Sequence, residues 1–516
     1  MLTLGEMVRR SARPDTFGGK VALAHGDVRM TYADVNKRVN RIAGVLLRLG
    51  VGKGDRVAVL GRNSVEYACI IFALAKIGAI MVPLNIWYKG DEIVYAVRQS
   101  GCRFFLLDVS FREMVETVQK QLDRVERYVY FGGDPTHHEP HLAHMTEKAS
   151  SDEPAVEVSE DDPRVIMYTS GTTGFPKGAT LSHRQNCLHA LIYALETGVT
   201  ERDIGLLIYP LFHTGGSECL LMPFFLAGAT VVVVERPDPE EILKAIEREK
   251  ATFVYCVPTV WRRILRAMDG RGFDVSSVRN CVSASDTIRR EDLEAIKARF
   301  KAPVAQFYGL TEAGVVTHFL KPQYHEMKLG SVGRAHPLVD VRIVNSDGND
   351  VVAGDVGEII MKGPTIMLGY WDMPEKTAET IRDGWLYSGD LGRVDEEGFL
   401  YIMGRSKDMI ISGGENIYPP EIERVIREYP RVKDVAVVGI PDPEWGESVL
   451  AVVVPEEGPS LTKDGIVEFV RGRLAGFKKP KFVEFVESLP VTAATGKVRK
   501  AELRKRYADL ATESRR

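Results

Sequence analysis

The sequence is short of the features that mark several protein classes. Its six cysteines (Cys69, Cys102, Cys187, Cys219, Cys256 and Cys281) are scattered and form no CxxC pair. That argues against a disulfide framework or a thiolate metal site, and for small buried hydrophobes in a reducing compartment. Basic residues are not in excess. The 67 Lys+Arg against 71 Asp+Glu leave a formal net charge of −4, so no electrostatic footprint for nucleic acid is expected. No apolar run reaches the roughly 18–20 residues that cross a bilayer, and the opening MLTLGEMVRRSARPD lacks an apolar segment of secretory length. The closing ATESRR is neither a prenylation box nor a peroxisomal SKL address. No integral membrane segment is expected, and the default location is cytoplasmic. A GxxxxGK[ST] loop, internal repeats, low-complexity tracts and long linkers are also missing.

What is there is a globular composition, 45% hydrophobic and 27% charged, in a chain of 516 residues, too long for one ordinary core. Strand-like and helix-like segments alternate, which predicts an α/β architecture. Residues 56–60 read as a buried strand, 64–77 as a helix and 79–84 as a strand. The same grammar recurs at 229–235, at 252–256 with a helix from Val260, and at 303–307. Between about Gly333 and Leu400, short strands separated by turns such as Ser346-Asp347-Gly348 and Glu396-Glu397-Gly398 predict a small all-β piece. Beyond Arg405 the pattern is α+β. A proline-opened helix covers 419–428, strands 435–440 and 449–454, and a second helix 463–474.

The strongest local signal is Tyr168-Thr169-Ser170-Gly171-Thr172-Thr173-Gly174-Phe175-Pro176-Lys177-Gly178, directly after the strand-like 164–167. Such a loop has almost no side-chain bulk, so backbone N–H groups and hydroxyls can wrap a polyphosphate, with Lys177 adding a positive charge. Taken alone, such a loop is more often just a flexible turn. It resembles, however, the phosphate-binding loop of the adenylate-forming superfamily: acyl- and aryl-CoA synthetases, firefly-type luciferases and peptide-synthetase adenylation domains. Five further segments resemble that family's motifs in order: Tyr308-Gly309-Leu310-Thr311-Glu312, Tyr387-Ser388-Gly389-Asp390, Gly404-Arg405-Ser406-Lys407-Asp408, Ser412 to Pro419, and Pro490 to Lys497. With Thr31-Tyr32-Ala33-Asp34 and Val82-Pro83-Leu84-Asn85, the resemblance covers nearly the whole chain.

The resemblance implies a large N-terminal domain, residues 1–404, of two doubly wound α/β subdomains plus a small β-barrel. A hinge at 405–408 and a small mobile α+β domain, 409–516, would follow. It implies an ATP-dependent acyl-CoA ligase that forms an acyl-adenylate and pyrophosphate, then an acyl-CoA and AMP, with ATP and CoA as co-substrates and Mg²⁺ as cofactor. A carboxylate attacks ATP poorly against phosphate charge, so the site must screen, align and stabilise. In that scheme Thr169, Ser170, Gly171, Thr172, Thr173, Gly174 and Lys177 hold phosphates. Glu312, with Thr169, is the Mg²⁺ position, and Thr311 meets the α-phosphate. Tyr308, Gly309 and the run Ser283-Ala284-Ser285-Asp286 frame the adenine, while Asp390 and Arg405 take the ribose. Lys497 bridges the carboxylate and the α-phosphate. Lys407 is the hinge, and Gly413, Gly414, Glu415 and Lys478 lie toward CoA.

Pro210-Leu211-Phe212-His213 resembles the family's segment beside the substrate carboxylate, and places His213 there. Phe212, Gly215, Gly216, Leu221, Phe307 and Val315 suggest a pocket for an apolar acid of the fatty, aryl or alicyclic kind. The run 283–286 departs from the Gly-Gly-Ala-Pro-like run of relatives, so no single relative's substrate transfers. Rival readings are a synthetase that loads a separate carrier protein, a luciferase-like oxidative relative, and a non-enzyme nucleotide-binding protein. The last is disfavoured by the presence of Lys497 and Glu312. A homodimer is left open.

Overall fold

The computed structural model describes residues 2–134, 140–169, 176–235, 237–456, 461–492 and 497–513. The chain divides into two compact units, Met1–Val341 with Met361–Leu386, and Arg342–Ile360 with Tyr387–Arg516. The β-rich stretch is therefore divided between units, whereas the sequence reading assigned it whole to the first part. A hinge is a different property from a limit of compactness, and is taken up below.

The first unit contains two sheets. The nine-stranded sheet runs, edge to edge, Arg334–Ala335, His318–Leu320, Val304–Tyr308, Asn280–Ala284, Phe253–Cys256, Ile204–Leu207, Thr230–Val233, Val21–His25 and Val28–Thr31. Its interior pairs are parallel, and its outer pairs antiparallel. The seven-stranded sheet runs Gly369–Tyr370, Lys177–Ser182, Pro163–Thr169, Ile80–Pro83, Arg56–Leu60, Phe104–Asp108 and Arg127–Phe131. Parallel neighbours need long crossovers, and helices supply them, which is why the strands are apolar on both faces. Residues 80–83 and 104–108 are buried throughout.

Local chemistry sets the helix limits. Ser64 caps the helix Val65–Lys76 by accepting from the Tyr67 N–H at 3.0 Å. Every residue from Tyr67 to Lys76 is buried, as befits a helix that is apolar all round. The helix His183–Thr197 opens on a reciprocal Ser182–Gln185 capping box and stops at Gly198, at φ 67°. The helices Pro239–Glu249, Pro258–Ala267 and Arg290–Phe300 pack Ile242, Trp261, Ile264, Ile296 and Phe300 against one side of the nine-stranded sheet.

The stretch expected to be all-β is less uniform than its turns suggested. Arg334–Ala335 joins the nine-stranded sheet, Gly369–Tyr370 joins the seven-stranded one, and Pro374–Thr380 is a helix. Proline at a first helical position has the right φ and wastes no hydrogen bond, a signal that turn-counting overlooked. A third sheet is built from Asp340–Val344, Gly357–Lys362, Trp385–Val394, Ile381–Arg382 and Leu400–Arg405.

The second unit's α+β part has a five-stranded sheet. Its order is Glu415–Ile417, Ile410–Ser412, Gly446–Pro455 and Val432–Asp442, with Phe482–Phe485 parallel to Gly446–Pro455. Cores form on both faces. Ile422, Ile426, Val437, Ala451 and Ile466 gather on one, and Val438, Leu450, Val452 and Leu503 on the other. All six cysteines are buried thiols. Among the described residues no helix is long and apolar enough to cross a membrane.

Candidate active site

The phosphate-loop signal lies between two paired strands. Pro163–Thr169 runs antiparallel to Lys177–Ser182, with Thr169 opposite Lys177. Ser170, Gly171, Thr172, Thr173 and Gly174 lie outside the described residues. At the strand end, the Thr169 hydroxyl donates to Glu312 Oε1 at 2.9 Å, and Tyr370 OH donates to the same oxygen at 3.1 Å. Lys177 Nζ lies 4.2 Å from the Tyr370 ring centroid, a cation–π contact. Burial pulls the Lys177 ammonium below its usual range, opposed by the Glu312 charge. Burial, then Glu312, raises the Tyr370 phenol, so it remains a donor at neutral pH. Tyr370 was missed by sequence reasoning. It sits 58 residues from Glu312, and no motif spacing announces such a pair.

Glu312 is carried on the tight turn Thr311–Ala313, after the strand Val304–Tyr308. The Tyr308 carbonyl accepts from Thr317 N at 2.9 Å, closing the loop between them. A Cβ at Gly309 would run into the Val315 carbonyl, so only glycine fits there. Val315 itself has φ 85°, and Ser285 has φ 71°. A left-handed β-branched residue is a backbone outlier of the sort that collects at ligand sites. Ser283 is fully buried and Ala284 almost so, whereas Ser285 and Asp286 are exposed. The Ser283 hydroxyl is thus a buried polar group with no hydrogen-bond partner among the described residues.

His213 caps the short turn Thr214–Gly216, its Nδ1 accepting from the Gly215 N–H at 3.1 Å. In the neutral ring the proton is then on Nε2. The expected pocket residues have aromatic neighbours. Phe212 meets Trp87 at 5.7 Å between ring centroids, and Phe307 meets Tyr255 at 5.4 Å and Tyr193 at 5.8 Å. A Cβ on Gly215 would come within 3.0 Å of the Tyr209 ring. A π-helical segment, Ser217–Leu221, follows. Within it, Glu218 binds Arg164 at 2.5 Å and Asn186 at 2.6 Å, all three buried.

The second unit holds the remaining expected residues. Asp390 and Arg405 face each other across paired strands, with Arg405 Nε 3.2 Å from Asp390 Oδ1. Partial desolvation, then the Arg405 charge, lowers the Lys407 ammonium below its usual range, although the residue is exposed. Gly413 and Gly414 both have positive φ, and a Cβ at Gly413 would meet the Trp445 ring at 2.7 Å. Their turn thus requires glycine irrespective of any ligand. Glu415 is exposed in the strand that follows. Lys478 is held by Glu421 at 2.8 Å, and Lys481 by the buried Asp442 at 2.6 Å, so each must leave a carboxylate before meeting a phosphate. Lys497 is exposed at a hairpin end. Its carbonyl accepts from Thr492 N at 2.8 Å, and its N–H donates to Thr492 Oγ1 at 3.1 Å.

The chain belongs to the AMP-binding enzyme family: that family matches residues 9–371, and the AMP-binding enzyme C-terminal domain matches residues 421–497. More particularly, it is an AMP-forming acyl-CoA ligase, which joins a carboxylic acid to CoA through an acyl-adenylate made with ATP. It is similar to a feruloyl-CoA synthase of Amycolatopsis sp, 39% identical, over 94% of this chain and 96% of that one. A long-chain-fatty-acid–CoA ligase of Mycobacterium tuberculosis is 36% identical over 98% and 99% of the two chains. The crystal structure of an anthranilate CoA ligase in complex with anthranoyl-AMP matches with a TM-score of 0.91 at 29% identity, over 99% of this chain and 98% of that one. The fold class expected from sequence, α/β with a separate C-terminal α+β part, is the one observed.

Proposed function

We propose that the acid is an apolar aryl carboxylic acid and that the ligase's two half-reactions are divided between the residues described above. The observation that carries the division is the convergence of Thr169, Glu312, Tyr370 and Lys177 at one strand end. Thr169 and Lys177 bind the β- and γ-phosphates, and Asp390 and Arg405 the ribose hydroxyls. Glu312, a hard oxygen donor beside two hydroxyls, fits Mg²⁺. Such an ion is commonly held through one or two carboxylates and substrate phosphate oxygens. Bound there, Mg²⁺ would supply neutralisation of phosphate charge.

Lys497 places its ammonium between the carboxylate and the α-phosphate, where charge builds during adenylation. His213 Nε2–H orients the carboxylate. The chain then turns about Lys407, Lys497 withdraws, and the Gly413–Glu415 turn flanks the CoA arm. Lys407→Pro is expected to keep pyrophosphate release and to lose CoA-ester formation; normal overall turnover would sink the rotation. The rings of Tyr209, Tyr255, Phe307, Tyr193 and Trp87 support an aryl acid, since planar substrates gain from edge and face contacts with such walls. The buried thiols support a reducing, cytoplasmic compartment.

The deciding experiment follows pyrophosphate release and thioester formation, with and without CoA, across fatty, alicyclic, benzoic and cinnamic acids. Thioester from aryl acids is the expected result. Preference for fatty or alicyclic acids would overturn the substrate assignment. An adenylate passed to a carrier protein in preference to CoA would redirect the second half-reaction.

A further inference from the structure

The helix Gly90–Ser100 contributes no residue to the nucleotide site as read above, yet a single turn of it reaches both described ends of the phosphate-loop segment. Tyr168, at the entry, places its OH 2.6 Å from Gln99 Oε1 and 3.0 Å from the Ala96 carbonyl. At the exit, Tyr95 OH donates to the Pro176 carbonyl at 2.9 Å. The Tyr95 and Tyr168 rings meet edge to face at 6.2 Å. Positions 95 and 99 share one helix face as an i, i+4 pair, and Ala96 takes part through its backbone carbonyl.

Gln99 has a second branch. Its Nε2 donates to the Trp371 carbonyl at 2.8 Å, and the Trp371 N–H donates to the Gly178 carbonyl at 2.8 Å. Trp371 follows Tyr370, whose OH is on Glu312. The amide of Gln99 thus accepts on one side and donates on the other, and a flipped amide would lose both bonds.

We infer that Gln99, seconded by Tyr95, is a positioning residue of the nucleotide site. Gln99 ties Tyr168, at the entry, to the Trp371 carbonyl beside Tyr370, and Tyr95 ties the exit at Pro176 to the same helix. The inference rests on the assignment of Thr169 and Lys177 to the ATP phosphates. Its effect falls on ATP and not on the acyl-adenylate, because the adenylate has lost the two phosphates that the loop holds.

Tyr95 and Gln99 also line an open surface groove of about 480 Å3 with Asp91, Val94 and Arg98, so a changed side chain at position 99 has space and water beside it. Gln99→Leu removes both bonds. With part of the loss recovered by relaxation, the dissociation constant for ATP should rise about tenfold. Gln99→Glu still accepts from Tyr168 but cannot donate to Trp371, and should give a smaller rise. The test is calorimetric ATP binding without acid, alongside transfer to CoA from pre-made acyl-adenylate and the melting temperature. Weakened ATP binding, with acyl transfer kept within about twofold, is the expected result. Unchanged ATP affinity in Gln99→Leu overturns the inference. So does a parallel loss of both half-reactions with a collapsed melting temperature, since that is a merely structural role. Lys177→Ala is the control: if it leaves ATP affinity unmoved, the phosphate assignment fails, and the role of Gln99 fails with it for that separate reason.

Discussion

In the first unit Arg164 and Glu218 form an ion pair whose side chains are 2% and 0% exposed, whereas in the second Lys478 and Glu421 form one at 22% and 21%. The first is sealed by Asn186, which binds both partners, donating to Glu218 and accepting from Arg164. The contrast extends to the candidate site as a whole. In the first unit Thr169 and Tyr370 hold Glu312 between them, while Lys497 and the Gly413–Glu415 turn lie at the surface of the second. Side chains in the first unit therefore act on stability and chemistry together. Exposed ones in the second, such as Lys497, can be changed for chemistry alone, and substitutions can test that separation.

The largest effect should come from Glu218→Ala. It strands the Arg164 guanidinium without a counter-charge in the interior, at a cost of about 3–5 kcal/mol. Denaturant unfolding measures this. The double variant Arg164→Met/Glu218→Leu should recover most of the loss, because a buried pair is worth little against apolar residues of similar size. Failure of the double variant to recover would show that the pair, not the avoidance of a lone charge, secures the turn after His213.

Next is Lys497→Ala. Removing an ammonium aimed at developing charge should lower adenylate formation by on the order of 10²-fold, about 2.7 kcal/mol. Exposure at a hairpin end predicts an unchanged unfolding midpoint, and thioester formation from pre-made acyl-adenylate should persist. Equal loss in both half-reactions would refute the role.

What was legible beforehand divides by separation along the chain. Strands 56–60 and 304–308, the helix capped by Ser64 and the order of the motifs follow from local pattern. Apolar periodicity and capping are decided within a few residues of chain. Tyr370 on Glu312, Gln99 on Tyr168 and Arg164 on Glu218 were not legible, since each joins segments 54 to 69 residues apart. Arg164 read as one polar residue in a strand-like run, and its partner was an unremarked glutamate after two glycines. The helix Pro374–Thr380 was missed for a different reason: the stretch was read from its Gly-containing turns, and the proline that opens the helix was not weighed as a helix start.

A pH effect should also separate the units. All eleven histidines precede residue 337 and so belong to the first unit. Burial holds His183, His189 and His318 down at about 3, and His325 at about 4. Because these folded values are depressed, the unfolded chain binds more protons between about pH 6.5 and the folded values. Stability is complete above about pH 6.5 and falls as pH drops through that window, by up to about 1.4 kcal/mol per pH unit for each histidine. Hydrogen exchange at pH 5 against pH 7 should show protection lost first in the strands of the nine-stranded sheet, with the Gly446–Pro455 strand little changed. Loss of protection in both units alike would break the comparison.

The smallest effect tests the other end of the contrast. Lys478→Ala removes a partly exposed ion pair, for which a stability loss of about 0.2–1 kcal/mol is expected. Two consequences can be told apart. If Lys478 leaves Glu421 to meet a phosphate of CoA, the variant should raise the KM for CoA several-fold while leaving pyrophosphate release alone. If it stays on Glu421, the KM for CoA should not move, and Glu421→Gln should match the small stability loss of Lys478→Ala. Glu421→Gln sharpens the distinction, because freeing the lysine should lower the KM for CoA only when the phosphate is its second partner. A lysine held at 2.8 Å by a carboxylate pays for CoA binding by giving up that bond, so even the favourable outcome is limited to a few-fold change.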